Sequence, residues 1–146
     1  MSSFQDSVAA WTVDCFGEEI AQSTDERNHR FLEEALELVQ ACGATKEECH
    51  ALVDYVFSRE TGELEQEIGG VMVCLASLAA VHKVSMEACA DTELLRIDNE
   101  ETKAKIRQKH ALKPNFGGIA AAARWFKEPL RTLKGDVIFA SVKIPG

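Results

Sequence analysis

Glu34 and Glu37 stand three residues apart in the stretch Glu26–Cys42, ERNHRFLEEALELVQAC, which carries a strong helical pattern. Carboxylates at that spacing share a helix face and can reach toward one point in front of it. At about 100° per residue, Phe31, Leu32, Ala35, Leu38, Val39 and Cys42 gather into an apolar stripe, with Glu34 beside it and Glu37 one turn further on. Paired like charges at the border of an apolar interior are costly unless a cation neutralises them. The chemistry this pattern offers is therefore cation binding, and the plain alternative is a solvated acidic edge. A second acidic group, Glu60, Glu63 and Glu67, follows at spacings of three and four. If Glu34 and Glu37 face Glu63 and Glu67, four carboxylates converge. Hard dications such as Mg²⁺ or Mn²⁺ take such oxygen ligands while keeping several waters, which suits a site that also binds phosphate oxygens. His29, His50, His82 and His110 share no ligand spacing, and His82, on an apolar face, is expected to be a satisfied core residue.

The elements that must position these groups read as helices. Asp6–Ile20 carries Val8, Trp11, Val13, Cys15 and Phe16, a short amphipathic helix broken near Gly17; Trp11 can anchor it on the rest of the fold or line a base pocket. Ser23 to Glu26 has capping-box spacing and starts the central helix, and Gly43 is a natural stop after Cys42. Thr45 to Glu48 repeats the capping signature and begins a helix through Cys49, Leu52, Val53, Val56 and Phe57, which the short loop should lay antiparallel to the first. The next helix is expected from Arg59 to Lys83, with Leu64, Ile68, Val71, Leu75, Leu78 and Ala79 as its stripe and the three acids along one edge. Gly62, Gly69 and Gly70 each weaken a helix by roughly 1 kcal/mol relative to Ala, which suggests close backbone approach or a kink. Ser85 is the next N-cap, with Glu87 in the first turn of a helix from Met86 to about Gln108. Its basic end, Lys103, Lys105, Arg107 and Lys109, suits a helix C-terminus. After Pro114 a brief helix, Gly118–Lys127, and an extended apolar tail, Asp136–Ile144, are expected, the tail lying on the bundle or against a neighbouring subunit. No internal repeat is visible.

A chain of 146 residues, 46% hydrophobic and 27% charged, suits one all-α globular domain. Its net charge of −8 argues against a nucleic-acid or anionic-membrane surface. The N-terminus MSSFQDSVAAW lacks a basic n-region and a long apolar h-region, and no run approaches about 18 uncharged apolar residues, so a soluble cytoplasmic protein with no membrane partner is expected. Cys15, Cys42, Cys49, Cys74 and Cys89 show no CxxC pairing and read as reduced core thiols.

Glu33-Glu34-Ala35-Leu36-Glu37 resembles the EExxE motif of the MazG-like all-α nucleoside triphosphate pyrophosphohydrolases. Glu67-Ile68-Gly69-Gly70 falls where that family has its ExxD motif, and Val84-Ser85-Met86-Glu87-Ala88 is similar to its turn into the next helix. The resemblance spans Glu26 to Lys109. It implies an antiparallel four-helix bundle of MazG-like type over residues 1–112, with an N-terminal helix and a C-terminal extension at 113–146. It further implies a homodimer or dimer of dimers that binds Mg²⁺, with Mn²⁺ as an alternative, and cleaves an NTP or dNTP to the nucleoside monophosphate and pyrophosphate. Carried over residue by residue, Glu34, Glu37 and Glu67 hold metal, while Gly70 replaces the family's aspartate. Glu63 can restore the ligand count, with Glu60 more distant, and Glu33 or Glu63 is the candidate base or extra ligand. Asn99, Lys103 and Lys105 are candidates for the family's Asn and basic substrate contacts, and Trp11 for the base. The alternative is a helical-bundle interaction or nucleotide-binding protein whose catalysis was lost through Gly70.

Overall fold

The computed structural model describes residues 3–112, and these are all-helical. The elements are α1 (Phe4–Phe16), α2 (Glu18–Ala21), α3 (Thr24–Ala41), α4 (Lys46–Phe57), α5 (Leu64–Val81), α6 (Met86–Ile97) and α7 (Glu100–Leu112). The expected short helix and apolar tail after Pro114 lie outside the described residues. The chain divides into two compact units after Thr102, so α1–α6 belong to the first and Lys103–Leu112 to the described part of the second.

Local chemistry sets nearly every boundary. Ser3 and Asp6 form a reciprocal capping box that opens α1, a start that sequence patterning placed at Asp6. Gly17, at φ +80°, separates α1 from α2. Ser23 caps α3 by accepting from the Glu26 amide, and Thr45 with Glu48 caps α4 in both directions, as their spacing predicts. At the end of α3, Gly43 sits at φ +94°, its amide donating to the Gln40 carbonyl while the Ala44 amide reaches the Val39 carbonyl. That pair of bonds is a Schellman stop, which needs a left-handed residue and favours glycine.

The same turn recurs. At the end of α5, Lys83 occupies the left-handed position at φ +57°, its amide donating to Ala80 and that of Val84 to Ala79. Ser85 then caps α6 as Thr45 caps α4. The boundaries correspond throughout: Thr24 to Leu64, Ala41 to Val81, Lys46 to Met86 and Phe57 to Ile97, a constant shift of 40 residues. The first unit therefore contains two copies of one helical hairpin, α3–α4 and α5–α6. The side chains hide this repeat because few of them coincide, Leu38 with Leu78, Glu47 with Glu87 and Cys49 with Cys89 among them.

Two expected helices have different limits. Residues 59–63 are not helical, and α5 begins after Glu63, which caps it in extended conformation. Glu60 and Glu63 therefore do not stack with Glu67 along a helix edge, because Gly62 and the absence of a strong capping side chain before it delay the start. The helix expected from Met86 to Gln108 breaks at Asp98–Asn99. Asp98 leaves helical geometry at ψ 61°, and the Asn99 side chain accepts from the Thr102 amide at 2.9 Å to start α7. Asn-Glu-Glu was a legible start signal inside that pattern.

Packing is concentrated at the N-terminal end. The extended helix contacts are α1 with α2, α2 with α3 and α5 with α6. Trp11 ties α1 to the end of α6 by donating from Nε1 to the Ile97 carbonyl at 3.3 Å, and meets Phe16 edge-on at 6.0 Å between ring centres. Among the described residues of the first unit, Cys15, 3% exposed, and Thr12 are buried; in the second unit Lys103 is buried. An apolar cavity of about 400 Å³ lies where α3, α5 and α6 converge, lined by Leu38, Cys42, Leu75, Leu78 and His82. By contrast, α4 is exposed along its whole length except at Cys49, and α3 with α4 is not among the helix pairs in extended contact.

The expected core roles change accordingly. All five cysteines are free thiols, but Cys42, Cys74 and Cys89 are exposed, and His82 is an exposed C-cap of α5 at the cavity wall and not a core histidine. By length and composition α5 is also apolar enough to cross a membrane. Glu65 and Glu67 occupy its first turn, however, and the uncharged run Ile68–Val81 is shorter than the roughly 20 residues a span needs.

Candidate functional site

The most chemically loaded surface is one face of α3. Successive turns place Arg27, Arg30, Glu34 and Glu37 within less than a quarter of the helix circumference, because their separations are three and four residues. Helical periodicity alone sets this arrangement.

On the N-terminal side the Arg27 guanidinium lies over the Phe16 ring, 5.6 Å from its centre. Its Nε and Nη2, with Nε of Arg30, are buried without a hydrogen-bond partner among the described residues. Stacking against an aromatic face satisfies the charge in part and leaves donors in the guanidinium plane unanswered. Arg30 pairs through Nη1 with Glu33, one turn along, which fixes that carboxylate at the edge of the same face.

Arg96 stands in the last turn of α6. It holds Glu93 in a two-point pair, Nε to Oε2 at 2.7 Å and Nη2 to Oε1 at 2.6 Å. That hydrogen-bonded pairing pulls the Glu93 carboxyl below its ordinary range and raises Arg96, and the field of Glu34 raises Arg96 further. Glu34 is thus within electrostatic reach of a cation from the second hairpin. Sequence reasoning missed Arg27, Arg30 and Arg96. The arginines of α3 share the phase of its glutamates and were readable from spacing, whereas Arg96 comes near Glu34 only through the fold.

The other expected site residues are distributed as follows. Glu67 lies in the first turn of α5 and folds back over Gly62, into the space a β-carbon there would take. Glu63 is the N-cap of that helix. Among the described residues no three His, Cys, Asp or Glu side chains come together in a grouping able to hold a metal ion. The carboxylate oxygens of Glu34 and Glu37 suit a hard dication in kind, and α3 by itself supplies two of them. Trp11 spends its indole N–H on Ile97, which makes it a clamp between α1 and α6. Asn99 uses both ends of its amide locally, the oxygen on Thr102 and the nitrogen on the Arg96 carbonyl at 2.9 Å. Lys103 is buried and Lys105 exposed, both on α7 in the second unit.

Comparison of the chain with protein-family models, with curated proteins and with solved structures gives no match.

Proposed function

We propose that the chain is a Mg²⁺-dependent nucleotide pyrophosphohydrolase of MazG-like, four-helix type, cleaving a (d)NTP to (d)NMP and pyrophosphate. The observation that carries this reading is the face of α3, where Glu34 and Glu37 lie one turn apart in phase with Arg27 and Arg30, with Glu34 in the field of Arg96. Acids for a cation and arginines for phosphate oxygens on one surface are what a triphosphate with its metal requires. Mg²⁺, or Mn²⁺, supplies charge neutralisation and acidification of a bound water when present. Glu34, Glu37 and Glu67 are the assigned ligands, with Glu63 in place of the carboxylate that Gly70 lacks. Glu33, held at the edge of the face by Arg30, is the candidate to take the proton from the attacking water. Arg27 and Arg30 orient the phosphates, having donors without a partner among the described residues.

A second reading, a catalytically impaired nucleotide-binding or interaction protein, draws on Gly70 and on the lack of a three-carboxylate grouping among the described residues. One assay separates them: NTPs and dNTPs incubated with Mg²⁺ or Mn²⁺, with pyrophosphate and orthophosphate scored separately. Pyrophosphate without orthophosphate is the expected product. No release from any nucleotide, with either metal, rejects the hydrolase and leaves the second reading.

A further inference from the structure

We infer that Arg27 and Arg30 form an oxyanion site that takes pyrophosphate without the help of a metal, so that the product of the proposed reaction holds to α3 and competes with the next nucleotide. The inference rests on the hydrolase reading for the choice of anion, and on geometry for the site. The Arg27 guanidinium lies over the Phe16 ring, 5.6 Å from its centre, which sets the guanidinium against α1. Its Nε and Nη2 are buried and have no hydrogen-bond partner among the described residues, and the same holds for Nε of Arg30. Buried donors in folded proteins are ordinarily answered, so three together on one helix face call for an acceptor.

Arg96 shows what such an edge takes. There Nε and Nη2 donate side by side to the two oxygens of Glu93, at 2.7 and 2.6 Å. These two nitrogens form one side of the planar guanidinium fork, the side that grips a carboxylate or a phosphate at two points. In Arg27 it is that same side whose donors are unanswered. Arg59 is the contrasting case: it also stacks on a ring, 5.3 Å from the centre of Tyr55, but it is exposed, so water meets its donors. Stacking alone does not make a site; stacking with a shielded, unanswered edge does.

The spacing of the donors selects the anion. Arg27 and Arg30 are neighbours one turn apart on a single helix face. Donors on two separate guanidinium planes suit the non-coplanar oxygens of joined phosphoryl groups better than the single plane of a carboxylate. Arg30 gives Nη1 to Glu33, which fixes its direction and leaves Nε to the anion. Both side chains are partly exposed although these donors are shielded, so a turn of the guanidinium end admits the anion while α3 stays folded. Glu34 and Glu37 follow on later turns of the face, which places the groups for a cation and the donors for the anion in succession along one helix.

The test is a titration of the full chain with sodium pyrophosphate in EDTA, followed by calorimetry and by the arginine Nε–H resonances. Saturable binding is expected, with the Arg27 and Arg30 signals shifted. Arg27→Lys keeps the charge and loses the two-point edge, and should weaken binding about tenfold or more, while Arg59→Gln should bind as wild type does. The wild-type resonances report on the site even where a variant fails to fold. No binding without metal overturns the inference; so does binding that leaves the Arg27 signal in place, or acetate that binds as tightly as pyrophosphate. In the nucleotide assay added pyrophosphate should inhibit in competition with substrate. Pyrophosphate release that added pyrophosphate does not slow overturns the inference and leaves the hydrolase reading standing. Metal-free binding at Arg27 with no release from any nucleotide does the reverse, keeping the oxyanion site and rejecting the hydrolase.

Discussion

The two hairpins of the first unit are built to one backbone plan and carry different surfaces. In α3–α4 the long helix presents Arg27, Arg30, Glu34 and Glu37; the positions 40 residues later on α5 hold Glu67, Gly70, Cys74 and Ser77. Cap, turn and length recur because they depend on a few backbone-directed residues, while the outward faces are free to diverge. One hairpin thus concentrates charge and the other small and apolar side chains. The difference teaches that the helix plan is set by capping chemistry, and that the role of each copy is set by what its face can bind.

The largest effect should come from removing charge at Glu34 or Glu37 on the first hairpin, with no comparable effect at the two matching positions of the second. Glu34→Gln or Glu37→Gln removes a charge at constant size, and pyrophosphate release should fall by two orders of magnitude or more. The corresponding Cys74→Ala and Ser77→Ala should leave turnover near wild type. Glu67→Gln sharpens the comparison: a loss as deep as that of Glu34→Gln recruits the second hairpin into the site, and wild-type turnover keeps it out. Equal activity in all of these variants would break the division of roles.

Next in size are the shared caps and turns. Thr45→Ala and Ser85→Ala each remove the hydroxyl that accepts an N-terminal amide, and each should cost about 1 kcal/mol in denaturant unfolding. Gly43→Lys gives the first turn the residue of the second, and the left-handed strain that Lys83 already bears should cost about 1 kcal/mol. If Gly43→Lys is neutral, the two turns are not equivalent in energy.

The smallest effect separates the hairpins by pH. Glu48, held by the Thr45 amide and hydroxyl, has its carboxyl lowered below the ordinary range, and Asp6 is lowered in the same way by Ser3. A carboxyl lowered by folding contributes stability above its unfolded value and loses it as pH falls through the folded one. At the position matching Glu48, α6 has Ala88. Below about pH 4.5 the amides of α4 should therefore exchange faster before those of α6 do, and Glu48→Gln should remove that difference.

Much of the helical plan was legible. Ser23, Gly43, Thr45 and Ser85 act within a few residues of themselves, so their spacing predicted the hairpin ends that the fold contains. The start of α5 and the break at Asn99 were misplaced because a continuous apolar rhythm masks a weak cap. The repeat went unseen because it lives in lengths and turns and not in side-chain identity. At the candidate site, the shared phase of Glu34 and Glu37 follows from helical geometry alone.

What only the tertiary structure decided is which groups meet and which faces stay bare. Trp11 finding the Ile97 carbonyl, Arg27 lying on Phe16 and Arg96 within the field of Glu34 all join residues on different helices. The exposure of α4 and α5 belongs to the same class. Caps and turns are short-range bonds written in adjacent residues, whereas burial is a property of everything else that comes near, which no local pattern contains.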